Sequence, residues 1–114
     1  RDGAVRRAYR DDPLWRARTT PALSVAAIEA IRRVHARADH IKTPLLVLHG
    51  TEDRVVPIEG TRHAFPRFGS TDKTFVEMPG AFHALPIDFE GDEVGVLIAD
   101  WLKARFGPRP ALLA

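Results

Sequence analysis

Pro44 is followed by four consecutive apolar residues, Leu45-Leu46-Val47-Leu48, and the run stops at His49-Gly50. A strand with one wet face alternates apolar and polar side chains, whereas an unbroken branched run of this length is the pattern of a strand covered on both faces of a parallel sheet. A second strand is read at Lys73 to Met78, where Thr74, Phe75 and Val76 precede the stop signal Pro79-Gly80. Between them Glu59 to Phe68 supports a short helix, with Gly69 and Ser70 as its stop, and after them Asp92 to Phe106 places Val94, Leu97, Ile98, Trp101, Leu102 and Phe106 at helical spacing. Upstream, Thr20 and Pro21 signal a helix start, and Leu23, Ala27, Ile31, Val34 and Ala38 share one face of a helix that ends near His40. The order helix, strand, helix, strand, helix gives an α/β fold class with a parallel strand pair. Two parallel strands leave two edges and too little area to cover both faces, so more strands are needed than this chain supplies. Together with a first residue that is Arg1 rather than Met, this sets the expectation of a C-terminal piece of a larger α/β protein.

Composition removes several function classes. Hydrophobic residues at 45% and charged residues at 28% are ordinary globular usage, which disfavours disordered, collagen-like and coiled-coil chains. No cysteine is present, so neither a disulfide framework nor a thiolate metal site is available. No apolar run approaches the roughly 18 residues of a membrane-spanning helix. No charged-then-apolar leader opens the chain, which sets a cytoplasmic expectation. The net charge of +2 hides an asymmetry: residues 1–42 carry ten basic and five acidic side chains, residues 43–114 seven and ten. In the opening, Arg1, Arg6, Arg7, Arg10, Arg16 and Arg18 are mixed with Asp2, Asp11 and Asp12, and only Tyr9 and Trp15 are aromatic, so this reads as a solvated surface and not a nucleic-acid site. Gly107 to Pro110 reads as a frayed tail.

In open α/β sheets the chemistry sits beyond the carboxyl ends of the strands. The loop after the first strand contains Asp53 and the loop after the second contains His83, thirty positions later. A carboxylate beside an imidazole fixes the ring tautomer and stabilises the imidazolium, freeing the other ring nitrogen to act as a general base. Asp53 read alone is more readily a loop-capping residue. His35, His40 and His63 lack the spacing and partner ligands of a zinc site, and no metal is expected. His49 reads as a structural residue hydrogen-bonded in the core, Trp101 as core, and Arg54 as an exposed loop residue.

Two segments carry a family likeness. Ile41-Lys42-Thr43-Pro44-Leu45-Leu46-Val47-Leu48-His49-Gly50-Thr51-Glu52-Asp53-Arg54-Val55-Val56-Pro57 resembles the acid-bearing segment of the α/β-hydrolase fold, and Glu77-Met78-Pro79-Gly80-Ala81-Phe82-His83 resembles its histidine-bearing segment. The branch most similar is that of the monoacylglycerol lipases and lysophospholipases (the serine aminopeptidase S33 type), over roughly residues 10 to 106. The resemblance implies that Asp53 is the acid and His83 the base of a catalytic triad, that the substrate is a small ester or a monoacylglycerol-like lipid, and that no cofactor is involved. Val55, Val56 and Ala84, which follow the acid and the histidine, stand as candidates for the acyl pocket, with ordinary loop packing as the alternative. Residues 1–40 would then be the end of a helical lid and 41–114 the C-terminal strand-helix-strand-helix part of the core.

The departure from the family pattern is the nucleophile. That pattern runs nucleophile, acid, histidine, with serine in a G-x-S-x-G elbow and the oxyanion hole also upstream, whereas the two serines here, Ser24 and Ser70, sit in no such elbow. The missing N-terminal half of the fold is therefore an implied partner, and the chain alone is expected to be inactive. An Asp or Cys at the absent elbow would instead make the parent dehalogenase-like or dienelactone-hydrolase-like. A third alternative is a non-catalytic, stand-alone interaction domain. Leu14, Trp15 and Leu23 in the lid region either pack on that missing half or offer an apolar surface to lipid, which would make the protein peripheral to a membrane.

Overall fold

The computed structural model describes residues 3–14, 18–87 and 91–107. Trp15 and the tail beyond Gly107, both singled out above, lie outside them.

The chain opens with a helix that the sequence pattern does not announce, α1 (Gly3–Asp11). Asp12 continues its hydrogen bonding to the Ala8 carbonyl at 3.1 Å, and the Asp12 carboxylate then accepts from the Leu14 N–H at 2.8 Å, closing the helix with a side-chain turn. The second helix, α2 (Pro21–Arg37), begins where expected: the Thr20 hydroxyl accepts from the Leu23 N–H at 3.2 Å, and Pro21 fills the first helical position. A 3-10 turn over Ala38–His40 ends it. Its apolar stripe meets little within the chain. Leu23 remains 61% exposed and Ile31 57%, whereas Ala38 at the foot of the helix is buried. That foot is docked by the Gly69 N–H, which donates to the Ala38 carbonyl at 3.0 Å.

The strands β1 (Leu45–Gly50) and β2 (Lys73–Met78) pair in parallel, in register from Leu45 opposite Lys73 to Gly50 opposite Met78. Helix α3 (Ile58–Ala64), prolonged by a 3-10 turn at Phe65–Arg67, makes the crossover. After β2 a 3-10 turn at Leu85–Ile87 leads to α4 (Gly91–Phe106). Polar side chains bolt the helices to the strands. Arg62 of α3 grips Glu77 of β2 with two bonds of 2.8 and 2.6 Å. Arg105 of α4 does the same to Asp72 at 2.7 and 2.5 Å, stacked 3.9 Å over the Trp101 ring, and the Trp101 indole donates to the Thr74 hydroxyl at 3.2 Å. Such bidentate pairs fix orientation better than single contacts. Lys73 closes the end of the crossover, its ammonium donating to the carbonyls of Phe65, Pro66 and Phe68.

The small core lies at the carboxyl ends of the strands. Met78, Ala81, Leu85 and Val94 are buried together, with Leu48 and Val76 packed against them. The run Leu45–Leu48, composed for cover on both faces, is only half-buried here, because among the described residues two strands and their helices leave both sheet edges unpaired and much of the α2 stripe exposed. Among the described residues no helix is long and apolar enough to cross a membrane. What the core does secure is the base of the two loops that leave β1 and β2 side by side.

Candidate active site

Those loops are laced together by backbone bonds. The Thr51 N–H donates to the Met78 carbonyl and the Glu52 N–H to the Ala81 carbonyl, each at 3.0 Å, while the Gly80 N–H donates to the Thr51 hydroxyl at 2.8 Å. Gly80 turns the chain with φ of 71°, a left-handed conformation that glycine adopts without steric cost. The sharp turn delivers the Ala81-Phe82-His83 segment against the loop from β1, where the Arg54 guanidinium lies 5.9 Å over the Phe82 ring.

Asp53 and His83 meet at this junction. Asp53 Oδ1 accepts the N–H groups of Val55 and Val56 at 2.8 and 2.9 Å, which locks the carboxylate in its own loop. Its Oδ2 lies 2.8 Å from His83 Nδ1 and 3.3 Å from His49 Nε2. The Asp53 side chain is 4% exposed and that of His83 52%. Burial alone would push the Asp53 carboxyl up, but the N–H of Val56, the His83 ring and the N–H of Val55 outweigh it, and the carboxyl is held below its ordinary value. Asp53 is therefore ionised at neutral pH and accepts from His83 Nδ1, so that in the neutral ring the lone pair falls to Nε2, on the opposite edge. That arrangement is competent to draw a proton from a nucleophile brought to Nε2.

The depressed Asp53 carboxyl ties stability to pH. A group with a lower pKa in the folded than in the unfolded chain stabilises the fold above its unfolded value, and the contribution disappears as pH falls through the folded one. The urea midpoint is thus expected to be flat in this respect from neutrality down to about pH 4 and to fall below it. In Asp53→Asn the part of that acid-side fall due to Asp53 is expected to vanish; an unchanged profile would show that the carboxylate carries no such linkage.

A cleft of about 200 Å³ opens beside the pair, lined also by Leu48, His49, Gly50, Val56 and Leu85. Of the proposed pocket residues, Val56 lines it. Val55 is 69% exposed, is not part of the lining among the described residues, and serves the site through its backbone N–H. Ala84 is half-buried and, among the described residues, is not part of the lining. Neither serine approaches His83: the Ser24 hydroxyl donates to the Thr20 carbonyl on α2, and Ser70 is buried at the opposite end of β2 against Asp72. His35 and His63 pair with ring centroids 6.4 Å apart, on α2 and α3, outside the cleft.

One residue read from sequence as a core histidine stands in the site. His49 touches the Asp53 carboxylate, the Val56 carbonyl and the Thr61 hydroxyl. It is hydrogen-bonded and mostly buried, as expected, and its partners set it directly beside Asp53. Its four-residue separation from Asp53 spans a strand end and a turn, so helical spacing gave no signal.

The sequence pattern of a hydrolase family described as serine aminopeptidase, S33, matches residues 1–90. The chain belongs to that family. Within it, the chain is 36% identical over 84 residues to a monoacylglycerol lipase of Mycolicibacterium smegmatis, an alignment covering 73% of this chain and 30% of the relative. It is 28% identical over 117 residues to a putative monoglyceride lipase of Schizosaccharomyces pombe, covering 95% and 29% respectively. The crystal structure of Paleococcus ferrophilus monoacylglycerol lipase superposes with a TM-score of 0.85 at 35% identity, over 91% of this chain and 41% of that one. The chain thus spans about a third of the length of the curated relatives it matches. It is a monoacylglycerol lipase-like piece of an α/β hydrolase, and its two parallel strands belong to the C-terminal part of that fold. The exposed α2 stripe and the half-buried β1 are what a part of a larger sheet presents.

Proposed function

We propose that this chain supplies the acid and the base of a serine ester hydrolase acting on monoacylglycerol-like lipid esters, with the nucleophilic serine on polypeptide N-terminal to it. The observation that carries the reading is the 2.8 Å contact of Asp53 Oδ2 with His83 Nδ1, made by a carboxylate already pinned through its other oxygen. The lipid ester is suggested by the names of the lipases that the chain resembles.

In the complete protein the serine hydroxyl attacks the ester carbonyl as His83 Nε2 takes its proton. The same proton passes to the departing alcohol, leaving an acyl-serine. Water then attacks the acyl carbon, gives its proton to His83 Nε2, and the serine is regenerated when that proton returns to its oxygen. Asp53 keeps Nδ1 protonated and stabilises the imidazolium in both halves. The reaction calls on no metal or organic cofactor. Without the serine and its oxyanion donors, this chain alone does not turn over ester. Residues 1–40 act in this reading as the end of a lid, for which the exposure of Leu14 and Leu23 speaks.

A fluorophosphonate probe tests the assignment. In the complete protein, peptide mass spectrometry is expected to place the adduct on a single serine upstream of Arg1. No adduct, or activity that survives full labelling, overturns the serine mechanism, and an essential Asp or Cys at the elbow would redirect the reading to a dehalogenase-like or dienelactone-hydrolase-like enzyme.

A further inference from the structure

His49 does more than line the cleft. Its Nε2 lies 2.8 Å from the Val56 carbonyl oxygen, which only accepts, so Nε2 bears a hydrogen. The same N–H faces Asp53 Oδ2 at 3.3 Å. On the far edge of the ring, Nδ1 lies 2.8 Å from the Thr61 hydroxyl on α3, which donates to it when the ring is neutral. Thr61 thereby selects the tautomer that presents a donor to Asp53, as outer partners commonly do for functional histidines. The ring's side chain is only 10% exposed, so water does not readily replace either bond.

The carboxylate then has a donor for each lone pair. Oδ1 takes two backbone N–H groups and Oδ2 takes His83 and His49. The N–H groups bind Oδ1 alone, so Oδ2 is placed by the bonds it makes itself. The His49 N–H also binds the Val56 carbonyl, so it couples the carboxylate to the loop that carries it.

We infer that His49, held by Thr61, is a positioning residue that orients Asp53 toward His83. The inference rests on the triad reading above and goes beyond it, since neither residue touches the reacting atoms.

The test uses the complete protein with a short-chain p-nitrophenyl ester. His49→Leu keeps bulk and removes the donor; kcat is expected to fall about 10- to 100-fold, as for a displacement of roughly 1 Å at a catalytic group, with KM changed less than about 2-fold. His49→Gln carries an amide N–H to the place of Nε2 and is expected to recover most of the loss. In an Asp53→Asn background His49→Leu is expected to cost nothing further, because it acts only through that carboxylate. Thr61→Val is expected to show a smaller fall that Thr61→Ser reverses, and this pair decides the matter if His49→Leu does not fold. Wild-type kcat in a folded His49→Leu, equal loss in Gln and Leu variants, or losses that multiply with Asp53→Asn would overturn the inference. Collapse of turnover in His83→Ala with none in His49→Leu removes this inference alone, whereas full turnover in His83→Ala removes the triad itself.

Discussion

Replacing His83 with alanine in the complete protein is expected to lower kcat on a short-chain ester by about 10⁶-fold, and Asp53→Asn by about 10⁴-fold, with little change in KM. In the proposed mechanism the alanine variant loses the proton carrier of both half-reactions, and because the His83 side chain is half exposed, the fold loses little with it. The asparagine variant is the more instructive. The N–H groups of Val55 and Val56 demand an acceptor at the position of Oδ1, so the asparagine carbonyl must sit there and its NH₂ must take the place of Oδ2. That NH₂ then donates to His83 Nδ1, forcing the proton to Nε2, where it blocks the base. The two losses are expected not to multiply, since with His83 gone there is no tautomer left to set. Initial-rate kinetics on variants with wild-type thermal unfolding check this, and turnover within a few-fold of wild type in both would remove the pair from the mechanism.

The parts of the architecture that periodicity and turn chemistry govern were legible in the sequence. β2 runs from Lys73 to Met78 as its pattern and the Pro79-Gly80 stop indicate, and α4 starts one residue before the predicted Asp92. β1 continues two residues past its apolar run, because His49 and Gly50 still pair with Glu77 and Met78 even though neither has a strand-like side chain. α1 was invisible for the opposite reason. Its nine residues are mostly charged or small, and so short a stretch offers little apolar repeat to read. Asp53 and His83 were legible as a pair because strand ends are where such groups converge in α/β sheets. Their meeting depends on bonds that no pattern announces, such as the Gly80 N–H to the Thr51 hydroxyl. His49 was legible as a hydrogen-bonded structural residue at the end of a strand, but its contact with Asp53 was not, because its other partners, Val56 and Thr61, come from the next loop and helix.

Gly50→Ala is expected to damage both stability and turnover while leaving every polar side chain of the site in place. A Cβ on Gly50 would fall on the Ala81 carbonyl oxygen and within 2.6 Å of the Phe82 carbonyl oxygen, both of them backbone atoms with no rotamer to yield. The histidine loop must therefore move as a unit. It cannot do so freely, because the Ala81 carbonyl receives the Glu52 N–H and Ala81 itself is buried completely. Stability is expected to fall by about 2 to 4 kcal/mol, the range of overpacked and strained core sites. Displacement of His83 from Asp53 by about 1 Å is expected to lower kcat at least 100-fold in whatever fraction remains folded. Gly95 supplies the control. It lies inside α4 with nothing within 4 Å of an added Cβ, so Gly95→Ala is expected to stabilise by about 0.5 to 1 kcal/mol through helix propensity, with kcat unchanged. If denaturant melts showed Gly50→Ala as harmless as Gly95→Ala, the close crossing of the two loops would not be what holds the acid against the base. The two results together separate a general intolerance of glycine replacement from a steric requirement at one crossing, and only the latter explains why a glycine closes β1 three residues before Asp53.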